Sequence, residues 1–238
     1  MARMSVAARK AWYLTAVALL CLAPCALAQN ASITLTGAGS NVMAGVYVGP
    51  YTATINGVST QVICDDFADN TYINESWTAS VANFSNLGNT RNTTRPNPDL
   101  TPEQQALYYT QVAWLTLQML SSNDPTTIAR IHFAIWGIFD PSALTYLDPV
   151  NRAGAQGWID LARAQHLTLD QFPNFLVYSP YPEYGNPTCN GGTCLSKPPQ
   201  EFLVVTPEPS ALMLLGVDLF ALVVLILLLR RRLVQAAS

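Results

Sequence analysis

The sequence predicts an α+β fold: a strand-rich, barrel- or sandwich-like domain with an inserted helical pair. Three observations carry that prediction. Residues 31–84 read as short apolar–polar alternating runs separated by turn signals. Residues 101–139 hold two runs of helical spacing, each opened by a capping residue and a proline. Strand-like runs then return at 174–178 and 200–205. Strands, helices and strands again, in that order, point to α+β.

Ser32 to Thr36 alternates polar and apolar side chains, as a half-buried strand does. Val46 to Tyr51 leads into Tyr51 to Ile55, and Asn56-Gly57 supplies a tight hairpin turn. The returning strand is predicted over Gln61–Phe67, and another over Ser76–Val81. Ser85 to Pro98, rich in Asn, Thr, Arg and Pro, reads as a mobile polar loop. Thr101 caps a helix with Pro102 at its first position, running to about Ser121. Asp124-Pro125 opens a second helix to Phe139, and apolar spacing gives each helix one buried face with Arg130 turned outward. A third, weaker helical pattern covers Arg152–Gln165.

Both ends of the chain read as addresses. Arg3, Arg9 and Lys10 precede the apolar run 11–22, and Ala26-Leu27-Ala28 precedes Gln29. Basic, apolar and small-x-small segments in this order predict a signal peptide over 1–28, with signal peptidase cutting after Ala28 and Ala26 at the other small position. At the far end stand Pro207-Glu208-Pro209, the apolar run 211–229 and Arg230, Arg231 and Arg232. A helix of that length spans the ~30 Å hydrocarbon core. The two prolines hold the tripeptide extended outside the helix, and the arginines favour the cytoplasmic face. Asp218 inside the run costs about 2.5–3.5 kcal/mol on insertion, which the surrounding Leu, Val and Ile offset.

This tail resembles the PEP-CTERM sorting signal of bacterial envelope proteins, over residues 206–238. The resemblance implies a membrane-embedded processing protease, an exosortase, that recognises Pro207, Glu208 and Pro209 and removes the helix. The implied location is the inner membrane before processing, then the cell surface or extracellular matrix. The extracytoplasmic domain between the addresses is residues 29–205.

Of 12 basic and 15 acidic residues, that middle segment keeps six and thirteen, so it is acidic by about seven charges. Such a surface repels polyanions, which excludes nucleic acid as a partner. Cys64, Cys189 and Cys194 remain after signal removal. Cys189 and Cys194 flank a short Gly-containing loop and predict a local disulfide in an oxidising compartment. Cys64 is then the odd thiol.

Val62-Ile63-Cys64-Asp65-Asp66-Phe67, followed later by His132-Phe133-Ala134-Ile135-Trp136, resembles the thioester domain of bacterial surface adhesins. In that family a strand cysteine is acylated by a glutamine of a downstream Gln-x-Ala-Ile-Trp helix. Here His132 stands at the glutamine position, and imidazole cannot act as the acyl donor. The resemblance therefore implies a thioester-less scaffold. Two alternatives are an enzyme using a Cys64/His132 thiolate–imidazolium couple and a thioester adhesin using a displaced glutamine. Asp65, Asp66 and Asp69 form the densest oxygen-ligand group and are calcium candidates, although the spacing fits no EF-hand. Exposed aromatics, with the Tyr178–Tyr184 group foremost, could stack on sugar rings of an exopolysaccharide. His166 reads as a surface residue. No cofactor signature is present, and the expected function is a non-catalytic adhesion or exopolysaccharide-associated module.

Overall fold

The computed structural model describes residues 30–88, 90–94, 100–180 and 199–206, together with Phe220, Ala221 and Val224. Segment 1–28, the Cys189/Cys194 pair, Pro207–Pro209, the three arginines and nearly all of 211–229 lie outside the described residues. Among the described residues no helix is long and apolar enough to cross a membrane.

Six strands close into an antiparallel barrel, which decides between the barrel and sandwich forms of the expectation. The strands are β1 (Asn30–Gly37), β4 (Tyr51–Ile55), β5 (Val58–Cys64), β6 (Ser76–Asn83), β7 (Phe175–Pro180) and β8 (Phe202–Val205). Around the barrel the order is β1-β4-β5-β8-β7-β6, with β6 returning to β1. Two short strands, β2 (Val42–Met43) and β3 (Val46–Tyr47), form a separate ribbon. Asn56 and Gly57 both have positive φ, 49° and 84°, as a two-residue hairpin turn of matching twist requires. They pair β4 with β5 from Ile55 and Val58 onward.

Alternation sets the barrel interior. Ala31, Ile33 and Leu35 of β1, Tyr51, Ala53 and Ile55 of β4, and Trp77 and Ala79 of β6 are all buried. In β5 the alternation ends: Val62, Ile63 and Cys64 are buried in succession, so that end of the strand is covered on both faces. There β5 meets β8 in a short ladder of Ile63 with Leu203 and Cys64 with Phe202. The expected strand over Gln61–Phe67 stops at Cys64. Asp66 Oδ1 accepts the Ala68 N–H at 3.0 Å, and this local turn takes the chain off the ladder.

The helical insertion lies between β6 and β7. A short α1 (Arg91–Thr94) precedes α2 (Pro102–Ser121), α3 (Pro125–Phe139) and α4 (Pro149–Arg163). Thr101 and Gln104 form a reciprocal capping box, and Asp124 caps α3 through the Thr127 N–H. Three long helices stand where a pair and a weaker third were expected. The one-face expectation fails for α3, whose residues from Ile131 to Phe139 are all buried. Its neighbours explain this: α2 and α4 both pack on it, while its aromatic side reaches the barrel through Tyr51. Arg130 is half-buried rather than turned fully outward; its Nε donates to Asn151 Oδ1 at 3.0 Å across to α4. Gly154 gives it room, since a Cβ there would lie 2.6 Å from Arg130 Cδ.

Candidate functional site

Cys64 and His132, 68 positions apart, are brought together. Cys64 ends β5 and His132 faces it from the second turn of α3; both are wholly buried. His132 Nδ1 accepts the Gly49 N–H at 2.6 Å, so the proton sits on Nε2, which donates to the Cys64 carbonyl at 2.8 Å. Gly49 holds a φ of +104°, and a Cβ there would press Ile128 at 3.1 Å, so glycine is required for this approach. Trp136 stacks on the imidazole with ring centres 4.1 Å apart, and Tyr51 packs at 5.5 Å. Burial holds the His132 pKa down at about 4, only partly opposed by its bond to Cys64.

The thiol itself donates to the Asp66 carbonyl at 3.2 Å. Burial pushes its pKa well above the ordinary thiol value, and the acids Asp66 and Asp65 push it further. Both ring nitrogens of His132 are committed to main-chain groups, and no cation lies against the sulfur among the described residues. The arrangement therefore gives a neutral imidazole and a neutral thiol rather than a thiolate–imidazolium couple. Its chemical effect is to tie α3 to the end of β5.

Beside this crossing lies a buried polar network. Glu201, wholly buried just before β8, accepts from Tyr109 Oη at 2.6 Å and Asn92 Nδ2 at 3.1 Å on one oxygen. Its other oxygen accepts from the Arg91 N–H at 2.5 Å and from the Ser179 hydroxyl. Four donors satisfy both oxygens of this buried carboxyl group. Asp65 is different: its oxygens meet no donor, and the side chain it faces is Glu201. Burial, then the charges of Glu201 and Asp66, raise its pKa well above the carboxylate range. Burial beside a second acid thus favours the neutral form of Asp65.

The Arg91 guanidinium binds two more acids, Asp66 at 3.1 Å and Asp69. Burial first, and the neighbouring Asp69 second, push the Asp66 carboxyl up to about 7, with Arg91 pulling the other way. This overturns the calcium expectation for Asp65, Asp66 and Asp69. The Arg91 guanidinium already occupies Asp66 and Asp69, burial favours the neutral form of Asp65, and no group of three or more His, Cys, Asp or Glu among the described residues could hold a metal ion. Thr90, Arg91 and Asn92, read from sequence as part of a mobile loop, are buried. The signal that could have found Arg91 was charge: few cations stand against many acids in the middle segment.

Next to the crossing opens a pocket of about 250 Å³. Tyr47, Tyr51, Phe67 and Trp136 supply rings to its lining, and Asp69 and Gln200 supply polar groups. Trp136 thus has the pocket on one side and the His132 ring in stacking contact. Phe67 also meets Tyr146, edge to face at 5.1 Å. Comparison of the chain with protein-family models, curated proteins and solved structures gives no match. Exposed aromatics sit at the pocket, where Tyr47 is 55% exposed, and beside it, where Tyr146 is 62% exposed. Tyr178, which the sequence placed among exposed aromatics, is buried in β7, and Tyr181 and Tyr184 lie outside the described residues. His166 is on the surface.

Proposed function

We propose that this chain is an exported cell-surface or extracellular-matrix protein whose barrel domain is a non-catalytic adhesion or exopolysaccharide-associated module. Export and sorting rest on the sequence of the two ends: the cleavable-signal pattern, and the PEP-CTERM-like tail that an exosortase would process. The scaffold reading rests on one observation, the pair of main-chain hydrogen bonds that occupies both nitrogens of His132. A residue so committed braces the fold and cannot act as the base of a nucleophile. The thioester-domain resemblance agrees with this reading, because the acylating glutamine is replaced by a residue that holds strand and helix together through hydrogen bonds.

The test is expression in a host that carries exosortase and in the same host without it, followed by fractionation and terminal sequencing. Sorting predicts a surface form beginning at Gln29 and lacking 211–229 only where the protease is present. A full-length chain in the cytosol in both hosts contradicts the proposal.

A further inference from the structure

We propose that the pocket between Tyr47, Phe67, Trp136 and Gln200 binds a neutral sugar unit of an extracellular polysaccharide. This deepens the surface-module reading and rests on it for the source of the ligand.

The size of the pocket and the rings at its mouth select that chemistry. At about 250 Å³ it is smaller than the ~300–1,000 Å³ of pockets for drug-sized ligands, which suits one ring of a longer chain. Tyr47 lines it while more than half exposed, and Tyr146, against Phe67, is exposed to a similar degree. Aromatic rings lining a concave site together with a few convergent polar groups are the usual make-up of a small-ligand pocket. A tyrosine ring offers a flat apolar face to sugar C–H groups and a hydroxyl to their oxygens.

Polar groups sit around the same cavity at fixed positions. Gln200 is held by two bonds: its N–H donates to Thr71 Oγ1 at 2.8 Å, and Nε2 donates to the Asp66 carbonyl at 2.7 Å. Thr71, Asn70 and Asp69 line the cavity beside it. Asp69 is tied to the Arg91 guanidinium, so its charge is balanced within the protein while its acceptor oxygens can still serve hydroxyl donors. No lining residue is cationic, and the middle segment is acidic as a whole. An anionic uronate would find no cation to pair with in the lining and would be repelled by the net negative charge of the segment. Neutral hexoses carry no such penalty.

The floor is preorganised. Trp136 is fixed between the His132 ring and Phe67, and Tyr51 Oη donates to the Tyr47 carbonyl at 2.7 Å. A site already in shape loses little free energy to ordering when it binds. The bracing role of His132 and the pocket are thus two sides of one construction.

The experiment is calorimetric titration of the purified full-length chain with neutral tetrasaccharides of glucose, galactose, mannose and N-acetylglucosamine, and with a tetrasaccharide of a hexuronic acid. Saturable binding is expected for at least one neutral probe and none for the uronate. Tyr47→Ala removes an exposed ring and should weaken that binding about tenfold with an unchanged unfolding midpoint. Asn70→Ala, at an exposed loop position, should weaken it as well. No saturable heat with any neutral probe, preference for the uronate, or full affinity in both variants would overturn the proposal. Binding in solution is independent of cell fractionation, so a sorting failure with intact sugar binding, or the reverse, tells the two claims apart.

Discussion

Replacing His132 by Phe keeps a ring at the crossing and removes both of its hydrogen bonds. The Gly49 N–H and the Cys64 carbonyl are then buried without partners. Each such group costs about 1–3 kcal/mol, so roughly 2–6 kcal/mol of stability should be lost near neutral pH. A second signature comes from protons. His132 titrates at about 4 in the fold against an ordinary value of 6.5. Between those values the unfolded chain binds more protons than the native one, so this residue makes stability rise with pH across that window. The contribution is complete above pH 6.5 and is lost as pH falls through 4, amounting to about 3 kcal/mol. Asp66 works in the opposite sense. Its pKa is raised to about 7 in the fold, so its contribution is fullest below the unfolded value of about 4 and fades as pH rises through 7. Subtracting variant from wild type cancels Asp66 and isolates the imidazole. Urea unfolding from pH 4 to pH 7.5 should show a gap that is widest at the neutral end and narrows by about 3 kcal/mol toward pH 4. A gap below about 0.5 kcal/mol, or one that does not change with pH, would refute the bracing role.

Other consequences can be read directly. Cys64 in the native chain should resist iodoacetamide at pH 7 to 8.5, with peptide mapping finding the label there only after unfolding; rapid native labelling at pH 7 would mean an activated thiol. Arg91→Met leaves two buried acids without their cation and should cost about 3–5 kcal/mol. Adding Asp66→Asn and Asp69→Asn to that variant should recover part of the loss in the same urea titration, whereas no recovery would deny the charge coupling. Gly137→Ala puts a Cβ 3.1 Å from Leu144 and 3.2 Å from Ile159 in the last turn of α3. Overpacking of about 1–3 kcal/mol, set against the roughly 1 kcal/mol that alanine gains over glycine in a helix, should leave a lowered thermal midpoint, and a raised midpoint would contradict the packing of Gly137 against Leu144 and Ile159.

The strands of the barrel and the starts of the helices are legible in the sequence because local chemistry specifies them. Asn56-Gly57 can supply two positive φ angles in a row, and Thr101-Pro102 with Gln104 carries its own capping geometry. Closure of the barrel was not legible. It depends on the two-residue ladder of Ile63 and Cys64 with Leu203 and Phe202, which joins segments about 140 positions apart. Spacing alone also misreads α3, since a helix packed by neighbours on several sides loses the polar stripe that marks a surface helix. The Cys64–His132 meeting could be proposed only through a resemblance, because nothing local links a strand end to a helix turn. The carboxylate network was hidden for a further reason. Asn and Arg in a segment rich in Pro and Thr look solvated, yet Arg91 and Asn92 face Asp66, Asp69 and Glu201, whose burial depends on long-range packing.

The central claim is that Cys64 belongs to a scaffold and not to a reactive centre. Intact mass of the purified chain, before and after methylamine treatment, tests it most directly. A scaffold cysteine gives a mass carrying Cys64 as a free thiol and unchanged by the amine. A mass lower by one ammonia, which methylamine then raises by its own full mass as it opens an internal thioester to a free thiol and an N-methyl amide, would contradict it.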